Sequence, residues 1–418
     1  MDRPRPVWLM EGLTREEKQK TAIQIAKQFG VKFDIRERIE VMADLQKTGV
    51  DAVPAIIPRN LLLAKDGTEI REPNDLPITL DGDLKSPITV DGKEVIPLGG
   101  VSGKKTVLCN ESGRWITYPS DEHGFNNPQG LWNARQIDIA ALGDSFTQGY
   151  CVPPEKSFVG MIRARYPATL NLGMAGNGPL YMLASLQEYL ASFKPKVVLW
   201  FYFEGNDLPE LQVENKSALL KQYLNTGFRQ DLSAEQDKLD EALRAYIEKE
   251  AAIEATKRAR VNESADWGAR ILDVLKASML RERLGIVYGK TLREEALSSA
   301  VRGSGMYEFR DILSQANADV GDWGGTLYFV YLPDWGRYVN AFEAGAQQRT
   351  QVLDTVKSLG IPVIDIHPAF EARGDPLSFF PFRESAHYNQ EGHRVVAQEV
   401  LKSISRNGPR QRDNRTLN

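Results

Sequence analysis

From about residue 135 onward, strand-length runs of apolar residues alternate with segments of helical composition. The candidate strands lie at residues 137–142, 168–172, 197–203, 325–332 and 361–366, and the third of them reads VVLWFYF. The candidate helices lie at residues 157–166, 180–193 and 338–358. Continuously apolar strands that alternate with helices are typical of a parallel sheet covered by helices on both faces. The sequence therefore predicts an α/β fold for this region.

The rest of the chain differs from this region in composition, which predicts a division into units. Residues 1–134 are expected to form a helical pair and then a β-rich region of short runs with Asp-Gly and Ser-Gly turns. The α/β unit is expected at 135–208 and 305–405. Residues 209–304, rich in Ala, Glu, Lys, Arg and Leu, are expected to be a helical insertion. Residues 406–418 show no apolar periodicity and predict a disordered tail.

Composition and charge exclude some classes of binding partner and indicate a cellular compartment. The net charge of −4 argues against a nucleic-acid-binding surface. No run approaches the eighteen or more apolar residues of a membrane helix, and the N-terminus lacks the long apolar core of a signal peptide. Read literally, the chain is expected in the cytoplasm; an upstream signal or anchor missing from it would instead place it in the periplasm or on a membrane.

The two cysteines, Cys109 and Cys151, lie in different segments and lack metal-ligand spacing. Two unpaired, buried thiols are favoured over a disulfide between them. The four histidines also lack metal-ligand spacing. We therefore expect no metal and no cofactor.

Four loops of the predicted α/β unit carry residues suited to acyl chemistry. They read GDSFTQG, NLGMAGNG, EGND and RESAHYNQEGH, and the first three follow predicted strands. Ligands of an open parallel sheet bind beyond the carboxyl ends of its strands, so these loops are expected to meet. A serine nucleophile needs an adjacent base, and that base needs an acid to orient it. The tetrahedral intermediate further needs hydrogen-bond donors aimed at its oxyanion.

The loops offer one residue for each of these roles. Ser145 is the candidate nucleophile, His387 the base, and Glu384 the acid three residues before it. The backbone N–H groups of Ser145 and Gly176 and the side-chain amide of Asn206 are the candidate oxyanion donors. Taken singly, each residue also has a structural interpretation: Ser145 as a helix cap, Gly176 as a turn former and Asn206 as a loop amide.

These four blocks, in this order over residues 143–393, resemble the SGNH (GDSL-type) hydrolase superfamily, which is named for its serine, glycine, asparagine and histidine. The resemblance implies a flavodoxin-like sheet, with Ser145 as nucleophile, Gly176 and Asn206 as oxyanion donors, and His387 as base. The family usually has aspartate three residues before its histidine, where this chain has Glu384. Asp365, and less so Asp144, are alternatives for the acid, and a Ser–His dyad assisted by a backbone carbonyl is another.

The leading functional hypothesis is an ester hydrolase that acts through an acyl-enzyme on an O-acetylated carbohydrate or another small ester. An O-acyltransferase that modifies a polysaccharide with the same serine is the second hypothesis, and a non-catalytic ligand-binding protein is the third. The expected partner is a small-molecule or glycan ester, with His367 as a minor contact. The insertion is expected to be a lid or partner surface. Phe379, Phe380 and Phe382 fit either a substrate-facing lip or a hydrophobic latch.

Overall fold

The computed structural model describes residues 23–63, 84–225, 227–263, 289–339 and 343–407. Most of the predicted tail, the start of the helical pair and part of the insertion lie outside these residues. Of the helical pair, residues 23–28 are helical, and Gly30 follows that helix with a φ of 70°. The second helix is Arg38–Lys47. Its N-cap is Glu37, whose N–H donates to the Glu40 carboxylate.

The N-terminal region also contains the predicted short strands. β1 (Ala52–Pro54) pairs in parallel with β4 (Lys105–Cys109), and β4 pairs antiparallel with β5 (Ile116–Pro119). β2 (Thr89–Val90) and β3 (Lys93–Glu94) form a separate hairpin. Its two turn residues, Asp91 and Gly92, both have positive φ, the combination of a type I′ turn.

The central sheet consists of the five strands that the sequence predicts. They are β6 (Ile139–Leu142), β7 (Thr169–Asn171), β8 (Val197–Phe203), β9 (Thr326–Leu332) and β10 (Val363–Asp365). The order across the sheet is β10-β9-β8-β6-β7, and every pairing is parallel. This confirms the α/β prediction.

Helices cover both faces of this sheet. Alternate residues of β6 belong to different buried clusters, since Ala140 and Leu142 lie in one and Ile139 and Ala141 in the other. All seven residues of β8 are buried, which explains its uninterrupted apolar sequence. The helices that follow the N-terminal region are Ser145–Gln148, Phe158–Arg165, Pro179–Ser185 with its π-helical continuation Leu186–Leu190, Asp207–Glu214, Ala218–Lys221, Gln236–Glu263, Gly289–Asp322, Glu343–Ser358, His367–Glu371 and Gln390–Asn407.

The described part of the predicted insertion is helical, but its first half packs with the sheet. Leu211, Leu220, Tyr223, Leu239 and Leu243 are buried in the same cluster as β6 and β8. The packing therefore extends the α/β core beyond the predicted boundary at residue 208. In the part of the chain that the structure describes, no helix has both the length and the apolar character that a membrane span requires.

Candidate active site

Ser145 begins a short helix directly after β6. The preceding residue, Asp144, is the N-cap, and its carboxylate accepts the N–H of Phe146 at 2.9 Å. Gly143 allows the sharp exit from the strand, because a Cβ there would come within 2.1 Å of the Thr147 hydroxyl. Gly149 ends the helix with a φ of 87°. The two glycines thus confine Ser145 to a single-turn helix at the carboxyl end of β6.

His387 lies against the Ser145 hydroxyl. Its Nε2 is 2.7 Å from Oγ of Ser145, although the two residues are 242 positions apart. The imidazole is packed between the rings of Phe146 and Tyr150, whose centroids lie 4.7 and 4.6 Å from its own. Side-chain packing therefore holds the ring where its nitrogen can accept the serine proton.

The acid that contacts His387 is Glu111, in the turn between β4 and β5. One carboxylate oxygen lies 2.7 Å from Nδ1 of His387, and the other accepts the backbone N–H of His387 at 2.9 Å. Glu111 thus binds both the ring and the backbone of the histidine. A proton on Nδ1 is the tautomer that this contact favours, and it leaves Nε2 free to accept the proton of Ser145.

This geometry corrects the expected position of Glu384. The segment 384–387 is a series of bends and not a helical turn, so residues three apart do not share a face there. Burial raises the pKa of the Glu384 carboxyl. Asp365, the other candidate acid, forms an ion pair with Arg349 and accepts the N–H of His367. In the described residues, neither carboxylate contacts His387.

The charges of Glu111 and His387 shift each other's pKa. Burial by itself lowers the pKa of His387. The charge and the hydrogen bond of Glu111, together with the charge of Asp144, outweigh burial and raise the pKa overall. Burial raises the pKa of Glu111, while the charge and hydrogen bonds of His387 lower it overall. The pair thus favours an imidazolium beside a carboxylate, the form that a general base takes after it accepts a proton.

Gly176 and Asn206 face the same cleft as Ser145 and His387. Gly176 has a φ of 76° and packs so closely on the N-terminal region that a Cβ would lie 2.9 Å from the Ile57 side chain. Asn206 is the N-cap of the helix Asp207–Glu214. Neither the Ser145 nor the Gly176 N–H donates to another described residue. Both N–H groups are thus available to a ligand in the cleft, and their role as oxyanion donors stays a prediction.

The cleft has a volume of about 380 Å³ and mixed polarity. Its lining consists of Ile57, Arg59, Ser145, Ala175, Gly176, Gly205, Asn206, Pro209, Glu210 and His387. Arg59 and Glu210 form a buried ion pair, with Nε 2.8 Å from the carboxylate and side chains 7% and 5% exposed. The N-terminal region therefore supplies both a wall of the cleft and the acid that contacts His387.

The other three histidines and the phenylalanines before His387 have structural contacts. Nδ1 of His393 accepts the N–H of Phe158, and Nδ1 of His123 lies 3.2 Å from the Gln236 amide oxygen. His367 contacts the Tyr338 hydroxyl and is absent from the lining of the cleft. Phe379 and Phe380 are buried in the core.

Sequence reasoning missed Glu111 because it lies 276 residues before its partner, in a hairpin turn outside the four blocks. It also favoured unpaired cysteines, whereas Cys109 and Cys151 form a disulfide. The two omissions share one signal. A Cys109–Cys151 bond would place Glu111, two residues after Cys109, close to the segment that carries Ser145.

A comparison with known protein families identifies the family of the chain. The model of the GDSL-like lipase/acylhydrolase family matches residues 141–395, which is more than half of the chain. The chain belongs to the GDSL-like lipase/acylhydrolase family. The match starts in β6 and ends beyond His387, so it spans Ser145, Gly176, Asn206 and His387. Glu111 lies outside it. The family places the chain among hydrolases that act on acyl groups.

Solved structures of GDSL-family hydrolases resemble the fold at low sequence identity. The lipase/acylhydrolase from Enterococcus faecalis is 13% identical, with a TM-score of 0.35, and the alignment covers 66% of this chain and 100% of that one. The acetylxylan esterase from Geobacillus stearothermophilus is 14% identical, with a TM-score of 0.34 and coverages of 67% and 97%. No curated protein matches the chain.

Proposed function

We propose that this GDSL-family protein is a serine-dependent ester hydrolase whose triad is Ser145, His387 and Glu111. The observation that carries the proposal is the continuous chain of contacts from Glu111 to Nδ1 of His387 and from Nε2 to Oγ of Ser145, each 2.7 Å long. A ligand-binding protein without catalysis has no need of this arrangement, in which a base touches the hydroxyl and a carboxylate supports the base.

The first half-reaction forms the acyl-enzyme. Oγ of Ser145 attacks the ester carbonyl carbon while Nε2 of His387 accepts the hydroxyl proton. The resulting oxyanion accepts hydrogen bonds from the N–H groups of Ser145 and Gly176 and from the Asn206 amide; one such donor contributes about 2.7–4 kcal/mol in comparable enzymes. Collapse of the tetrahedral intermediate breaks the ester C–O bond, and the leaving alcohol takes the proton from His387. Glu111 stabilises the imidazolium in between.

The second half-reaction restores the enzyme. A water molecule gives a proton to His387 and attacks the acyl carbon of the Ser145 ester. The second tetrahedral intermediate then expels Ser145, which regains its proton from His387, and the carboxylic acid leaves. An alcohol acceptor in place of water would give acyl transfer by the same steps.

The cleft favours a short acyl group on a polar alcohol. Only Ile57, Ala175 and Pro209 among its lining residues have apolar side chains larger than hydrogen, and the Arg59–Glu210 pair forms part of its wall. A long acyl chain would require a continuous apolar channel, because burying it is what drives its binding. We therefore propose an O-acetyl ester of a carbohydrate or another small polar alcohol as the substrate.

We propose further that the protein works in an oxidising compartment, such as the periplasm or the cell exterior. The disulfide Cys109–Cys151 supports this, because structural disulfides persist in such compartments and are rare in the cytosol. Alkylation of free thiols at harvest from its native cells would test it. We expect both cysteines to be protected until a reductant is added.

Substitution of the nucleophile tests the proposed mechanism. We expect Ser145→Ala to abolish turnover of p-nitrophenyl acetate and labelling by a fluorophosphonate. The melting temperature should be nearly unchanged, because the substitution removes only the hydroxyl, whose partner in the described residues is His387. Turnover by Ser145→Ala at the rate of the wild type would overturn the serine mechanism. A parallel assay with an acceptor glycan separates hydrolysis from transfer, since transfer would appear as acylated glycan in place of free acid.

A further inference from the structure

We propose that the disulfide Cys109–Cys151 positions Glu111 against His387, so that full turnover requires the oxidised protein; this inference rests on the proposed triad. Cys109 is the last residue of β4, two residues before Glu111. Cys151 follows the nucleophile helix and is adjacent to Tyr150, whose ring packs on His387. The Cα atoms of the two cysteines are 5.3 Å apart, within the usual range for a disulfide.

The hairpin that carries Glu111 has a small interface with the nucleophile segment. In the described residues, its apolar cluster is separate from both clusters of the central sheet; Ile116 and Tyr150 pack partly buried against its five buried members, which are Ala55, Leu108, Cys109, Tyr118 and Cys151. One hydrogen bond, from the Gln148 amide to the Tyr118 hydroxyl, joins the same two segments. Two of the five buried side chains are therefore the disulfide itself, so it is a principal connection between acid and nucleophile.

Other contacts hold the Glu111 turn to the N-terminal region, and one of them, Arg38, also hydrogen-bonds the Tyr150 hydroxyl, so it supports the disulfide in joining the turn to the nucleophile segment. The Asn110 amide donates to the Asp34 carbonyl at 2.7 Å, and Arg38 donates to the Leu108 carbonyl at 2.8 Å. The β4–β5 ladder also shifts register between Val107 and Cys109, just before the turn. A bulge of this kind re-aims the chain locally, so the ladder alone does not determine where Glu111 points.

The backbone at Cys151 supports a specific role for this cysteine. Its φ of 59° lies in the left-handed region, which residues other than glycine, asparagine and aspartate seldom adopt. Such a conformation persists where the surroundings impose it, and these positions cluster at functional sites. At Cys151, both the bond to Cys109 and the packing of the neighbouring Tyr150 on His387 constrain the backbone to this left-handed conformation.

The prediction concerns a two-electron reduction. A dithiol such as dithiothreitol transfers two electrons and two protons to the disulfide, which gives two cysteine thiols while the reagent becomes its own cyclic disulfide. We expect reduction to lower kcat by about 10- to 100-fold, a part of the roughly 10⁴-fold loss seen when a triad acid is disabled outright. KM should change little, because neither cysteine lines the cleft.

The pH profile separates positioning from a general loss of stability. The Glu111 carboxylate raises the pKa of His387, against the effect of burial. Reduction should therefore move the acid limb of kcat/KM to lower pH as well as lowering kcat. The pKa of the His387 imidazole, followed by NMR of ring-labelled protein, should fall in the same direction, and this readout does not depend on activity.

The matched control is Glu111→Gln, assayed oxidised and reduced at a temperature well below both melting transitions. If the disulfide acts through Glu111, reduction lowers turnover in the wild type and leaves that of Glu111→Gln nearly unchanged. The double variant Cys109→Ser/Cys151→Ser should have the turnover of the reduced wild type, and the reductant should not change it. If this variant does not fold, chemical reduction of the wild type still tests the inference. An equal loss in both backgrounds, or an unshifted His387 pKa on reduction, would overturn the inference. Failure of the proposed function would differ, since Ser145→Ala would then match the oxidised wild type.

Discussion

At the scale of single residues, the site depends on a glutamate that contacts its histidine twice. Glu111 binds Nδ1 and the backbone N–H of His387, so it orients both the ring and the loop that carries it. A side chain that accepts only one of these bonds would leave the other group without a partner. We therefore expect the identity and length of this side chain to matter for turnover.

Glu111→Gln should lower turnover of p-nitrophenyl acetate by about two to four orders of magnitude, because the amide no longer stabilises the imidazolium and favours the wrong tautomer. Glu384→Gln and Asp365→Asn should retain turnover close to that of the wild type, since neither carboxylate contacts His387. Steady-state kinetics on the three variants check this. A severe loss in Glu384→Gln with an active Glu111→Gln would return the acid to Glu384.

The pH dependence of turnover should follow the protonation of His387. Its imidazole must be neutral to accept the Ser145 proton, so kcat/KM is expected to fall as the pH drops below its pKa. Because Glu111 raises that pKa, Glu111→Gln should move the acid limb to lower pH. Profiles of kcat/KM for both proteins give the comparison. An acid limb that stays in place would mean that another group controls it.

At the scale of elements, the loop that carries Gly176, the proposed oxyanion donor, is held by the N-terminal region. Gly176 lies against Ile57 and Arg59, and the Arg59–Glu210 ion pair joins the turn Pro58–Leu61 to the helix that follows Asn206. Removing one partner of a buried ion pair leaves the other charge uncompensated, which costs about 3–5 kcal/mol. The position of the Gly176 N–H thus depends on an element outside the central sheet.

Gly176→Ala should lower kcat, because its Cβ would press on Ile57 and move the loop that carries the N–H donor. Gly324→Ala is the matched control: Gly324 has a similar φ of 78°, and a Cβ there would meet no atom within 4 Å. Both variants place an alanine in a similar left-handed backbone conformation. The melting temperatures therefore measure the effect on stability, and turnover measures the effect on the site. Equal turnover in the two variants would argue against an oxyanion role for this loop.

At the scale of the whole molecule, the proposed active site is shared between the α/β unit and the N-terminal region, and part of the insertion belongs to the core. Ser145, Asn206 and His387 come from loops of the α/β unit, while Glu111, Ile57 and Arg59 come from before residue 135. The core also includes Leu211, Leu220, Tyr223, Leu239 and Leu243 of the insertion. The predicted lid function is therefore best tested on the residues of the insertion that follow Leu243.

Replacement of residues 250–300 by a flexible linker should leave a folded protein that hydrolyses p-nitrophenyl acetate but ranks larger esters differently. Deletion of all of 209–304 should unfold the chain, because it removes Leu211, Leu220 and Leu239, and truncation of one such buried leucine costs about 2–5 kcal/mol. Circular dichroism and thermal melting distinguish the two deletions. Global unfolding of the smaller deletion would show that residues 250–300 are also needed for the core.

The sequence alone was sufficient to predict the five strands of the sheet and the four loops that meet at the site. This succeeded because the signals are local: β8 is apolar along its length since both faces are buried, and glycine in GDSFTQG marks a turn that excludes a Cβ. The prediction of Ser145, Gly176, Asn206 and His387 as site residues rests on such signals, on the order of the strands and on the resemblance to the SGNH superfamily.

Only the tertiary structure decided which acid serves His387 and whether the cysteines are bonded. Glu384 is three residues from His387 in the chain, but the backbone bends at 384–387, so the two side chains do not lie on one face and do not meet. Glu111 is 276 residues away and reaches the imidazole through a hairpin turn, a register shift and a disulfide. Contacts between distant segments depend on how separate elements pack, and a local pattern of residue types does not determine that packing.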